Sequence, residues 1–217
     1  MTTFTVSNRF TGYIMPVGNG SVGKTTVSKV LEMISRGRVI DNEALKKIRK
    51  TNNLEFIYVS TRQIFAGQQY SVTLQFLIPP GQKEVEGDST GRCFEDVISI
   101  YRTLIRRLDV VLFTYDLANH DSFHDLAYWV DGVTKLMNDS THFILLGTHL
   151  DQAAYSEISK EEIRVGLEYL RKEFLITRPT WRGKCAPIEI SCLSRTNLEL
   201  LLRYLAGSII SANQIRA

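Results

Sequence analysis

Apolar residues along this chain fall into short runs and helical stripes that alternate with polar, turn-forming segments. Tyr13-Ile14-Met15-Pro16-Val17 is the first run and reads as a buried strand. Val27, Val30, Leu31 and Ile34 follow at helical spacing, so a helix packs one face. Asp41 is placed to cap a short helix through Lys50. Two extended runs, 54–65 and 70–78, flank the turn Ala66-Gly67-Gln68-Gln69 and predict a hairpin, which Pro79-Pro80-Gly81 stops. Residues 82–92 are polar and are expected to be mobile. Beyond them the pattern predicts a helix over 94–107 and a buried strand over 110–115. A helix over 122–137 carries Phe123, Leu126, Trp129, Val130 and Val133 on its apolar face, and a strand covers 142–147. Ser159-Lys160-Glu161-Glu162 is a capping box that opens a helix to residue 174. A strand over 188–190 and a helix from Thr196 or Asn197 to Leu205 close the series. Strands alternating with helices predict a doubly wound α/β fold of six strands, five parallel and one antiparallel, with helices on both faces. The whole chain, 1–217, is expected to form one domain with its core over about 10–207.

Composition narrows the partners. Apolar residues make up 44% and charged residues 23%, and the formal net charge of +3 is too small to imply nucleic acid. The basic clusters Lys46-Lys47-Arg49-Lys50 and Arg102-Arg106-Arg107 read as solvated helix faces. Cys93, Cys185 and Cys192 have no metal-ligand spacing and read as reduced thiols of a cytoplasmic protein. No apolar stretch is long enough to span a membrane. The N-terminus does not read as a signal peptide, and Thr2 stands where myristoylation needs a glycine. No prenylation cysteine is present either, so no direct membrane anchor is expected.

The strongest chemical signal lies between the first strand and the first helix. Gly18-Asn19-Gly20-Ser21-Val22-Gly23-Lys24-Thr25 is the G-x-x-x-x-G-K-[ST] loop of a nucleoside triphosphate site. Its glycines let the backbone wrap an anion, with N–H groups aimed at phosphate oxygens above a helix N-terminus. Lys24 would reach the outer phosphates and the Thr25 hydroxyl would coordinate Mg²⁺; Thr26 completes the candidate phosphate-binding set. A second signal, Gly147-Thr148-His149-Leu150-Asp151, follows a strand directly. A carboxylate there accepts both N–H donors of a guanine edge, whereas adenine would leave it unpaired.

With these motifs in order the chain resembles the Ras-like small GTPases over about residues 10–207. Thr148-His149-Leu150-Asp151 stands where that family has [NT]-K-x-D, and Ser191-Cys192-Leu193 where it has S-A-[KL]. Thr51-Asn52-Asn53-Leu54-Glu55-Phe56 is similar to the Rab-type T-I-G-V-E-F. The segment from Tyr115-Asp116-Leu117 to Ser122-Phe123 is similar to Y-D-I-T-x-x-x-S-F, and Pro79-Pro80-Gly81-Gln82 falls at D-x-A-G-Q. The resemblance implies GTP/GDP and Mg²⁺ as ligands. It implies Thr51 as a second metal ligand, the Gly81 N–H on the γ-phosphate, and Gln82 as the residue that orients the attacking water. Thr148, His149, Asp151, Ser191, Cys192 and Leu193 would surround the guanine. Regulatory proteins are expected on the segments around Thr51 and Gln82, with a roadblock-type protein as first candidate.

The chain also departs from the pattern. Ile78 stands where the family has the Asp that supports Mg²⁺ through water, and His149 replaces a Lys. Cell-polarity GTPases of bacteria and archaea share the missing Asp and the Pro-Gly-Gln, so the chain looks like a prokaryotic-type relative. Residues 25–51, 82–109 and 152–187 are longer than in compact members. Two functions stay open: a slow GTPase switch, or a pseudo-GTPase that holds guanine nucleotide as an interaction module. A P-loop kinase lacks support, since Asp151 and the Ser191 motif favour guanine and no Arg-rich lid is evident.

Overall fold

The computed structural model describes residues 8–49, 51–81, 93–101, 105, 107–155 and 158–216. Its centre is a sheet whose middle strands read as unbroken apolar runs because both faces are covered. In β4 (Val110–Asp116) and β5 (His142–Thr148) nearly every residue is buried. Alternate side chains leave each strand on opposite faces. Ile14 of β1 (Asn8–Val17) joins Leu112, Ile144 and Leu146 under α1 (Lys24–Ser35) and α7 (Leu198–Arg216). Met15, Phe113 and Phe143 join Phe94, Trp129 and Phe174 beneath α3 (Phe94–Tyr101), α5 (Leu126–Thr134) and α6 (Lys160–Thr177).

With β2 (Glu55–Phe65), β3 (Gln68–Ile78) and β6 (Cys185–Glu189), the sheet has six strands in the order β2-β3-β1-β4-β5-β6. Only β2 runs antiparallel to its neighbour. The expected strand count, directions and two-faced helical cover are all present. Order reverses at β1, whose neighbours are β3 and β4, so a crevice opens at its carboxyl end.

Several boundaries differ from the pattern reading. The hairpin turn is the pair Ala66-Gly67, both at positive φ, 49° and 78°, so Gln68 and Gln69 belong to β3. The helix expected over 122–137 is two pieces, α4 (His120–His124) and α5, with Asp125 at the joint. It starts earlier because the Asn119 side chain accepts the Ser122 N–H as an N-cap. Helix α2 (Asn42–Lys46) begins where Asp41 accepts the Ala44 N–H. Strand β6 starts at Cys185 rather than 188, and its edge position tolerates Pro187. The last helix continues to Arg216. Burial of Ile209, Ile210 and Ala212 outweighs the roughly 1 kcal/mol cost of Gly207 in a helix. The expected mobile stretch 82–92 lies outside the described residues. Among those described, no helix is long and apolar enough to cross a membrane.

Helix α7 approaches β1 closely at Gly12, where an added Cβ would collide with the Ile209 side chain. Gly12→Ala is therefore expected to cost about 1–3 kcal/mol by overpacking. A thermal melt should fall by several degrees, since about 1 kcal/mol is worth roughly 2–4 °C at this chain length.

Candidate functional site: a phosphate loop joined to a base pocket

The loop at the end of β1 is shaped by what its backbone must approach. Gly18 has φ 140°, and a Cβ there would strike the Thr114 carbonyl oxygen of β4. Gly23 has φ 89° and sits at the N-cap of α1. Both conformations suit glycine and turn the chain around an anion-sized space. Ser21 also takes a left-handed φ of 66°, a conformation with a small steric cost for a residue with a Cβ.

Lys24 is 6% exposed, and its ammonium donates to the carbonyls of Gly18 and Asn19 at 2.7 and 2.6 Å. A buried ammonium held by carbonyl dipoles makes the loop interior positive and tuned to an anion. Gly81 packs over this point. A Cβ on it would collide with Lys24 Nζ and come within 2.6 Å of the Asn19 carbonyl oxygen. Gly81, three residues beyond the end of β3, thus lies directly against the lysine. Gln82 lies outside the described residues.

The Thr25 and Thr51 hydroxyl oxygens are 2.7 Å apart. The two threonines expected to share a metal meet across the segment between α1 and β2. These are hard oxygen donors of the kind Mg²⁺ takes. Among the described residues no group of three or more His, Cys, Asp or Glu side chains is arranged to hold a metal. A cation at this point therefore depends on phosphate oxygens and water for the rest of its shell. Ile78, at the end of β3, is fully buried in the core and offers nothing polar.

Two clefts open along this edge. One, of about 180 Å³, is lined by Gly20, Lys24, Thr25, Thr51, Pro79 and Gly81, with Arg49 exposed at its rim. The other, of about 170 Å³, is lined by Leu45, Thr148, His149, Asp151, Cys192 and Leu193. Gly23 and Thr26 line both, so the clefts adjoin across the start of α1. Most residues expected around phosphate and around a base line these adjoining clefts; Gly18, Asn19, Val22 and Ser191 do not.

The base pocket is tied to the phosphate loop. The buried Thr148 hydroxyl lies 2.9 Å from the carbonyl oxygens of Val22 and Tyr115 and donates its one proton to either. His149, at φ 58°, turns its Nδ1 to Asp116 Oδ2 at 3.0 Å. The Ser191 hydroxyl donates to Asp151 Oδ1 and accepts the Ser194 N–H at 3.0 Å. This fixes one carboxylate oxygen of an otherwise exposed Asp151. Burial, with the Asp151 charge adding to it, pushes the Cys192 thiol up to about 12. Cys192 therefore stays a neutral, weakly polar wall of the pocket.

One set of contacts was not legible in the motif. The Asn19 side chain donates to Asp125 Oδ2 at 2.6 Å and accepts the Trp129 indole N–H at 3.0 Å. Trp129 in turn stands edge-on to Phe94 of α3, with ring centroids 5.1 Å apart. Position 19 is a variable position of the loop pattern, so its side chain carried no signal. Leu45 and Ile48, which also line the groove, read in sequence only as parts of a short helix, and Arg49 as part of a solvated basic cluster.

Fold and loop together are of the P-loop small G-protein type. A sequence model of the Ras family matches residues 88–177. The chain is 25% identical over 162 residues to the Ras-related protein RabC of Dictyostelium discoideum, covering 75% of this chain and 71% of that protein. In sequence the chain is thus similar to Ras-family small GTPases. Neither match bears on the prokaryotic-type likeness.

Proposed function

We propose that this chain binds GTP and GDP together with Mg²⁺, hydrolyses GTP slowly, and works as a two-state switch in the cytoplasm. The observation that carries the reading is the continuous groove, with buried Lys24 at one end and the Ser191-anchored Asp151 at the other. Loop N–H groups and Lys24 would hold the phosphates, and the Asp151 carboxylate would accept the guanine N–H donors. The Gly81 N–H would bind a γ-phosphate oxygen, and Gln82 would orient the water for in-line attack. Thr25 and Thr51 would hold Mg²⁺, which when bound offsets the charge on the outer phosphates. Thr51 and Gly81 come from the two segments that flank β2 and β3, so loss of the γ-phosphate would release both ends of the hairpin together.

Unaided hydrolysis should be slow, on the order of 10⁻⁴ s⁻¹, as in a Ras-like site without an arginine finger. A regulatory protein on the switch side is the natural accelerator, and a roadblock-type protein is the first candidate by resemblance. Phe56 and Tyr58 are exposed on β2, the strand that follows Thr51 in the chain, and would give such a partner an apolar foothold.

One observation favours the second reading, a pseudo-GTPase that holds nucleotide without efficient cleavage: Ile78 is buried and apolar at the end of β3. Single-turnover cleavage by wild type and Gln82→Leu, with and without a candidate partner, separates the two. Gln82→Leu is expected to lower the accelerated rate and leave nucleotide affinity nearly intact. Equal rates under every condition would remove Gln82 from the mechanism. No cleavage by either protein would establish the pseudo-GTPase.

A further inference from the structure

The hydroxyl pair at the metal position has a carboxylate behind it. Thr51 Oγ1 donates to Glu55 Oε2 at 3.1 Å while lying 2.7 Å from Thr25 Oγ1. The other Glu55 oxygen pairs with Lys29 Nζ of α1 at 2.8 Å. Glu55 is the first residue of β2, and its partner in the antiparallel register is Ile78, the last residue of β3. The strand end nearest the phosphate loop therefore carries one apolar and one acidic residue side by side. Ile78 points into the core and Glu55 points to the threonines.

We propose that Glu55 is the outer-shell carboxylate of the Mg²⁺ site, a positioning residue that holds Thr51 and draws the dication to the Thr25–Thr51 pair. The inference rests on the reading of a Mg²⁺–nucleotide groove and names the charge that this groove uses. The physical need is plain. Two neutral hydroxyls are weak ligands for a strongly hydrated cation, and a nearby anion that bonds to a ligand or to metal-bound water stabilises the bound state. Ile78 supplies no such anion, and Glu55 lies one hydrogen bond from the ligand. Lys29 competes with the cation for the same carboxylate, since its ammonium already offsets the charge. Both side chains are about one-third exposed, so the pair can open without unfolding the helix–strand contact.

The test measures release of a fluorescent GDP analogue against Mg²⁺ concentration, for wild type, Glu55→Gln and Lys29→Met. Glutamine keeps the size and an acceptor for Thr51 but removes the charge. Glu55→Gln is expected to raise the Mg²⁺ concentration at half-effect roughly 10-fold or more, the usual cost of losing an outer-shell partner. Its release rate in excess EDTA should match wild type. Lys29→Met should leave the half-effect concentration equal or lower. An unchanged midpoint in Glu55→Gln overturns the proposal. So does an equal acceleration in EDTA, which would make Glu55 a structural support of the nucleotide groove. A raised midpoint in Lys29→Met would assign the effect to the ion pair alone and also overturn it. Wild-type release at one rate with and without Mg²⁺ is a different failure, because it removes the metal itself and the inference with it.

Discussion

Lys24→Ala is expected to weaken GDP and GTP binding by at least about 2–3 kcal/mol, roughly 30- to 150-fold, in a calorimetric titration. The size follows from where the ammonium sits. It is almost wholly buried, so little water screens it from a phosphate, and the Gly18 and Asn19 carbonyls aim it into the loop. Alanine also leaves those two carbonyls without their donor, so the ligand-free protein should melt earlier. The two effects separate cleanly. The loss of stability appears without nucleotide, and the loss of nucleotide-induced stabilisation appears only with it. Unchanged affinity in a folded Lys24→Ala protein would mean that the loop is a structural turn and the groove serves something else.

Asp151→Asn is expected to reverse the base preference. In the unaltered protein the carboxylate would accept two donors from guanine. Asparagine offers one acceptor and one donor, so it leaves a guanine amine facing an amide N–H. Two charge-assisted bonds are lost or inverted, a penalty of roughly 10²–10³ in affinity. Xanthine carries an oxygen where guanine carries that amine, and it should bind the variant better than guanine does. Ser191 fixes the outcome geometrically. Its hydroxyl donates to Asp151 Oδ1, an oxygen that asparagine retains, so the side chain keeps its place while its chemistry changes. Competition titrations with guanine, xanthine and adenine nucleotides give the answer. Equal affinity of the unaltered protein for adenine and guanine nucleotides would reject the assignment.

How much of this is legible in the sequence depends on what kind of constraint each residue obeys. Gly18, Gly23, Lys24 and Thr25 answer to a phosphate of fixed size, so their spacing is visible in the chain. The central strands were legible because burial on both faces leaves unbroken apolar runs. The end of α7 was not, because Ile209 and Ile210 sit beyond Gly207 and only the position of the sheet shows that they are buried. Thr51 could be paired with Thr25 only by resemblance, since nothing local says that a loop residue 26 positions away will meet it. Glu55 and Ile78 are each ordinary in sequence; their pairing across the hairpin register is what makes one answer for the other. The Asn19 side chain was silent for the same reason, its partners Asp125 and Trp129 lying 106 and 110 residues away.

That last contact gives the molecule an optical label of its own. The chain has two tryptophans. Trp181 stacks on Phe143 and Phe174 at the far edge, and its N–H donates to the Thr141 carbonyl, well away from the groove. Trp129 gives its indole proton to Asn19, whose own carbonyl holds Lys24. An indole's emission responds to the bond that its N–H makes. If a phosphate drew Lys24 away from that carbonyl, the rearrangement of the loop would be written into the colour and intensity of one fluorophore. With Trp181 replaced by phenylalanine, the arrival and departure of an unmodified nucleotide can be timed by light from the protein alone.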